Sequence, residues 1–181
     1  MTPAQQAGIR LQKMFRRIEA ERMQGLPFLR AGLQVQAVDF IEWQQDFLGV
    51  LITPWFMNLV LLPGNIPWPQ YQIGEKCLHW FPSGEYEFIA GQEDGVGCYQ
   101  MCSLFSPMHA FADQDAAVAT AQAVMQALLD EQNIERLNNP QYWESEQTAS
   151  VPDTTNPPQP KGFSRRALFG GNLAADQGDG S

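Results

Sequence analysis

Residues 47–62 read FLGVLITPWFMNLVLL, and the way this stretch folds decides the rest of the chain. Two apolar runs, Phe47–Thr53 and Met57–Leu62, are joined by Thr53-Pro54-Trp55-Phe56. A membrane-crossing helix needs about 20 consecutive apolar residues. This stretch is shorter, carries Asn58, and has Pro54 where a helix interior would lose a hydrogen bond. Proline presets the φ of a turn's second position, so the reading is two strands joined at Pro54. Val, Ile and Leu fill both strands with almost no polar alternation, which predicts a hairpin covered on both faces.

Upstream, Pro3 to Met23 predicts a helix with Leu11, Met14, Phe15 and Ile18 on one stripe and basic residues over much of the rest. Gly25 and Pro27 stop it. Leu33 to Phe40 alternates loosely and reads as a strand, followed by Trp43. Downstream, residues 63–69 (PGNIPWP) are too rich in Pro and Gly to extend the hairpin. Cys77–Pro82 and Glu85–Ala90 predict two strands around a Pro82-Ser83-Gly84 turn, and Gly97–Phe105 predicts another, closed by Ser106-Pro107. About six strands with short links favour an antiparallel sheet, because parallel strands need long crossovers. A second helix is expected from an Asp113 N-cap, ending near Asn138–Asn139 before Pro140. Helix, strands and helix make an α+β fold, expected as one domain over residues 1–143. Residues 144–181 are dominated by Thr, Pro, Asp, Gln and Gly, the composition of a disordered tail, with one island at 163–169, FSRRALF.

Charge narrows the function. The 181 residues carry a net charge of −9, yet six of the 11 basic residues lie in the first thirty positions. Between Ala31 and Trp143 only Lys76 and Arg136 stand against 13 acidic residues. Such a body repels phosphate backbones, which argues against nucleic acid, and suits a cationic peptide. An acidic surface that merely keeps the protein soluble accounts for the charge equally well. The first twenty residues have no apolar segment of a secretory signal, and three cysteines in a sparse pattern suit reduced thiols in a cytoplasm. Membrane insertion is not expected.

Catalytic patterns are sparse. On a strand, Cys98 and Cys102 would sit roughly 13 Å apart, too far for thiolates that need about 2.3 Å to a shared metal. His79 and His109 are the only histidines, and neither a G-x-S-x-G elbow nor a phosphate-cradling glycine loop is present. A Cys102–His109 thiol site stays open as an alternative. Recognition material is more evident: Trp55, Phe56, Met57 and Asn58 crowd a turn, where aromatic and Met side chains serve either as interface anchors or as core. In the tail, Ser164-Arg165-Arg166-Ala167-Leu168-Phe169 is similar to the twin-arginine export motif, but it stands at the wrong end of the chain for an export signal.

These blocks together resemble the HybE/HupJ/HoxT assembly chaperones of nickel–iron hydrogenases. The resemblance rests on residues 25–27 (GLP), Trp43, 49–59 (GVLITPWFMNL), 61–63 (LLP), 82–88 (PSGEYEF), 102–108 (CSLFSPM) and the tail SRRAL. It implies a cytoplasmic, non-enzymatic helper for an exported uptake hydrogenase, one that holds the small or large subunit, or the small subunit's twin-arginine signal peptide, before export. Some relatives carry a fused rubredoxin domain. This chain lacks the paired CxxC motifs, so no iron site is carried over, and a separate rubredoxin-like protein is a further implied partner. The partner-binding residues expected on this basis are Trp55, Phe56, Met57, Asn58, Glu85, Cys102, Phe105, Met108, Arg165 and Arg166, with no catalytic residue, metal or cofactor. A tail island that mimics the client's signal could also occupy the protein's own groove. The competing expectations are a small-ligand or lipid carrier with an apolar cavity, and a thiol-dependent enzyme using Cys102.

Overall fold

The computed structural model describes residues 1–131. The boundary expected at residue 143 and the island at 163–169, with Arg165 and Arg166, lie outside the described residues.

Helix α1 (Pro3–Arg22) starts on a complete capping box: the Thr2 hydroxyl accepts from the Gln5 amide while the Gln5 side chain accepts from the Thr2 amide. Pro3 takes the first helical position, where a missing N–H costs nothing. Ala4, Ala7, Leu11, Met14 and Phe15 form its buried stripe. Six strands follow: β1 (Gln36–Trp43), β2 (Asp46–Ile52), β3 (Met57–Leu62), β4 (Lys76–Phe81), β5 (Gly84–Glu93) and β6 (Gly97–Phe105). Helix α2 (Gln114–Leu128) closes the order. All five strand pairs are antiparallel, in the spatial order β1-β2-β3-β6-β5-β4. The α+β architecture expected from the sequence is therefore present. Among the described residues, no helix is long and apolar enough to cross a membrane.

The core hairpin is β2 and β3, and both faces are covered as its composition predicts. Every residue of β3 is buried, as are six of the seven in β2. Phe47, Leu51, Val60 and Leu62 meet the stripe of α1, and the opposite face receives α2 through Ala117, Ala121, Val124, Met125 and Leu128. The Thr53 hydroxyl organises the turn, accepting from the Trp55 and Phe56 amides, and the Thr53 amide donates to the Phe56 carbonyl.

Two boundaries differ from expectation. Strand β1 runs later than the predicted Leu33–Phe40, because its pairing is dictated by β2: Gln36 faces Ile52 and Trp43 faces Asp46. The link is only Gln44-Gln45, with Gln44 at φ 56, a turn that no Gly or Asn announces. Helix α2 ends at Leu128, ten residues before the predicted Asn138. Asp130 and Glu131 put negative charge beyond its C-terminus, against the helix dipole. The Leu128 carbonyl is taken by the amide of Ser83 in the β4–β5 turn.

Strand β1 also carries a bulge, with Val38 opposite Val50 and Ile41 opposite Leu48. Asp39 takes up the extra length at φ 49. The shift sets the Phe40 ring between Gly8 of α1 and Gly49 of β2, where neither glycine has room for a Cβ.

Candidate partner-binding surface

Strand β4 lies at one end of the sheet, and no described strand lies beyond it. Its residues alternate: Phe81 is buried and Cys77 and His79 are half-buried, whereas Lys76, Leu78 and Trp80 are exposed. The exposed set contains two large apolar side chains, Leu78 at 61% and Trp80 at 69% exposure. On β5, Ile89 is 48% exposed. The register places Ile89 opposite Lys76, Glu87 opposite Leu78 and Glu85 opposite Trp80, with Met101 of β6 on the far side of Ile89. Residues facing one another across a pleated sheet share a face, so Leu78, Trp80, Glu85, Glu87, Ile89 and Met101 form one surface. It continues the face that α1 covers, since Met101 stands opposite Val60 of the α1 cluster. Helix α1 packs over β1 and β2, and its cover runs out before β4 is reached. The result is an apolar strip that a protein alone in water has no reason to build.

Acidic groups border the strip unevenly. The Lys76 ammonium lies 3.2 Å from the Glu87 carboxylate. Glu85, beside Trp80, has no cationic partner among the described residues. At the β5–β6 turn Arg22 of α1 holds the Glu93 carboxylate at 3.0 Å, and Arg17 donates to the Asp94 backbone carbonyl. Of the strip's own carboxylates, Glu85 and Glu87, Glu85 is thus the one without an ion pair among the described residues.

The residues expected from the sequence divide into three groups. Trp55, Phe56 and Phe105 are half-buried at one end of the β3–β6 pair, where Met57 faces Phe105 and the Ser106 hydroxyl donates to the Trp55 carbonyl. Phe56 packs edge-on against Phe15 of α1, and Phe105 against Phe111. Glu85 lies apart from that cluster, beside Trp80. Met57, Asn58 and Cys102 are buried instead of exposed to a partner, because the sheet is covered on both sides at those positions, and Met108, in the segment after β6, is buried as well. The Asn58 amide reaches the Met101 sulfur at 3.4 Å, while its Oδ1 is buried with no hydrogen-bond partner among the described residues.

The thiol reading loses its nucleophile to burial, since Cys102 lies on the face away from α1 with almost no exposure. The Cys77 thiol is pushed up, first by partial burial and then by the Glu75 carboxylate, which disfavours a reactive thiolate there. No cluster of three or more His, Cys, Asp or Glu side chains among the described residues could hold a metal. The cavity at the other end of the sheet, about 580 Å³, is an open cleft between α1, β1 and α2, lined in part by Gln5, Gln12, Asp39 and Gln126. An apolar carrier needs an enclosed site, and this cleft, although Ile9, Phe40, Ile41 and Met125 also line it, is open to solvent.

Sequence reasoning missed Leu78, Trp80 and Ile89. In KCLHWF both alternating phases carry apolar side chains, so the pattern does not say which phase meets solvent.

Comparison with known proteins agrees with the architecture. A family model described as "[NiFe]-hydrogenase assembly, chaperone, HybE" matches residues 6–171. Protein HoxT of Cupriavidus necator is 38% identical over 130 residues, covering 65% of this chain and 73% of that protein. A protein of Rhodobacter capsulatus named probable rubredoxin HupJ is 41% identical over 120 residues, 66% of this chain but only 43% of its own length. The solution structure of HybE from Escherichia coli superposes with a TM-score of 0.56 at 25% identity, covering 87% of this chain and 90% of that one. The chain belongs to the HybE family of nickel–iron hydrogenase assembly chaperones.

Proposed function

We propose that this protein holds a subunit of an exported nickel–iron uptake hydrogenase in the cytoplasm before export, and does so without making or breaking a bond. The observation that carries the reading is the exposed Leu78–Trp80–Ile89 strip beside Glu85, which has no ion pair among the described residues, in a chain of the hydrogenase-chaperone family. Apolar side chains left in water at this density are the signature of a surface that spends part of its time covered. The family supplies the class of client, and the acidic body favours a positively charged one. The twin-arginine signal peptide of the small subunit meets that description, being extended, basic at one end and apolar beyond. Trp55, Phe56 and Phe105 form the second half of the contact surface, with Met57, Asn58, Cys102 and Met108 supporting it from beneath. A separate rubredoxin-like protein is a further partner, by analogy with the relative named rubredoxin HupJ.

Co-purification tests the reading. Tagged protein expressed with the hydrogenase subunits should retain a subunit precursor, and deletion of the signal peptide should reduce that retention at least tenfold. Retention of neither subunit, with or without the signal peptide, overturns it.

A further inference from the structure

The bare strip lies on an edge strand, and this fact points to a mode of recognition. The Ala90 amide donates to the Glu75 carbonyl at the start of the β4–β5 ladder. Hydrogen-bonded and non-hydrogen-bonded pairs alternate along an antiparallel ladder. Cys77 and His79 therefore exchange bonds with Phe88 and Tyr86, and the amides and carbonyls of Lys76, Leu78 and Trp80 point away from β5, toward the open edge. Natural proteins blunt such edges with bulges, prolines or charges, because an unprotected one recruits other strands. On β4 the guards stand only at its ends, Lys76 at the start and Pro82 just past the finish. Between them lie backbone groups beside Leu78 and Trp80 that no described strand pairs.

We infer that the β4 edge receives an extended segment of a client polypeptide as a seventh strand, with an arginine lying across Trp80 toward Glu85 and apolar side chains at the flanking alternate positions. This rests on the chaperone reading and names the site and chemistry of the contact. Main-chain bonds to Lys76, Leu78 and Trp80 supply sequence-independent affinity, and side chains two apart select the sequence. A guanidinium placed over the indole face gains from the ring quadrupole and continues into a charge-assisted bond with a carboxylate. Among the described residues Glu85 has no cation of its own, whereas Glu87 already has Lys76. Charge also selects against a second copy as the occupant. Edge-to-edge pairing of two β4 strands would bring Glu85 and Glu87 of one chain toward those of the other, with two lysines to offset four carboxylates.

The probe is acetyl-Thr-Leu-Thr-Arg-Thr-Leu-Thr-amide, titrated into the full chain while backbone amide exchange is followed by NMR. At saturation the Leu78 and Trp80 amides should exchange at least tenfold more slowly. Three changes should each weaken binding tenfold or more: N-methylation of the peptide amides that face β4, replacement of its Arg by Glu, and Trp80→Ser in the protein. Glu85→Gln should weaken the Arg peptide severalfold and leave an Arg-to-norleucine peptide unaffected. Trp80 is exposed, so its variant should keep its fold, which circular dichroism verifies. Binding without protection of Leu78 and Trp80, indifference to N-methylation, no binding at millimolar peptide, or amides already protected in a self-paired dimer would each overturn the inference. Failure of the chaperone reading is seen separately. If wild-type and Trp80→Ser protein retain the hydrogenase precursor equally, the edge is wrong and the chaperone stands. If wild-type protein retains none, the broader reading falls as well.

Discussion

The two ends of the sheet solve the same problem in opposite ways. At β1 the open edge is flanked by both helices, kinked by the bulge at Asp39, and anchored by a Phe40 ring wedged between two glycines. At β4 the side chains facing solvent are Lys76, Leu78 and Trp80, and the strand is regularly paired from Lys76 to Phe81. A sheet edge costs solubility unless it is defended, and β1 shows that this fold has the means to defend one. The undefended end is then the informative one. Stability is concentrated where the helices lie, and the capacity to bind is left where they stop.

The largest expected effect falls on the defended end. Phe40→Ala removes the ring that Gly8 and Gly49 enclose, and should cost about 3–5 kcal/mol in chemical denaturation. Gly49→Ala places a methyl inside the same ring and should cost about 1–3 kcal/mol. If either variant is as stable as wild type, the β1 end is not the structural anchor described here. At the other end, Trp80→Ser should leave the denaturation midpoint nearly unchanged, within about 0.5 kcal/mol, yet reduce capture of the hydrogenase precursor at least tenfold. A variant that unfolds instead would erase the contrast between the ends. Glu85→Lys should weaken precursor capture severalfold, and the difference from wild type should shrink as salt is raised from 50 to 500 mM, because exposed charges are screened.

The smallest effect is alkaline. Burial is the main cause holding the Tyr99 phenol above its ordinary pKa of 10.0, with Glu93 adding to it. Below pH 10 folded and unfolded chains both keep the proton, and ionisation of the phenol has no influence on stability. Above it the unfolded chain releases the proton first, so stability falls as pH rises through the folded pKa. Tyr99→Phe should flatten this loss in thermal melts between pH 9 and 11. An unchanged slope would show that Tyr99 is solvated.

Much of the scaffold was legible because local chemistry was unambiguous. The run of Val, Ile and Leu around Pro54 read as a doubly covered hairpin, and Asp113 marked where the second helix begins. The end of α2 was misjudged because no proline or glycine stands at Leu128; a hydrogen bond from Ser83, distant in sequence, takes its carbonyl there. The start of β1 was misjudged for the same kind of reason, since a strand extends only as far as its partner. Among the candidate contact residues, Trp55, Phe56, Phe105 and Glu85 keep some exposure, whereas Met57, Asn58, Cys102 and Met108 do not. A large apolar side chain reads the same whether it anchors a partner or fills a core.

The amino-acid order alone determined the element types, the antiparallel sheet, the acidic body and the family, because each depends on residues near one another in the chain. Which strand became an edge, and which of its two faces was left bare, was decided by where α1 stops along the sheet. That boundary follows from tertiary packing of α1 on β1 and β2, and no local pattern encodes it.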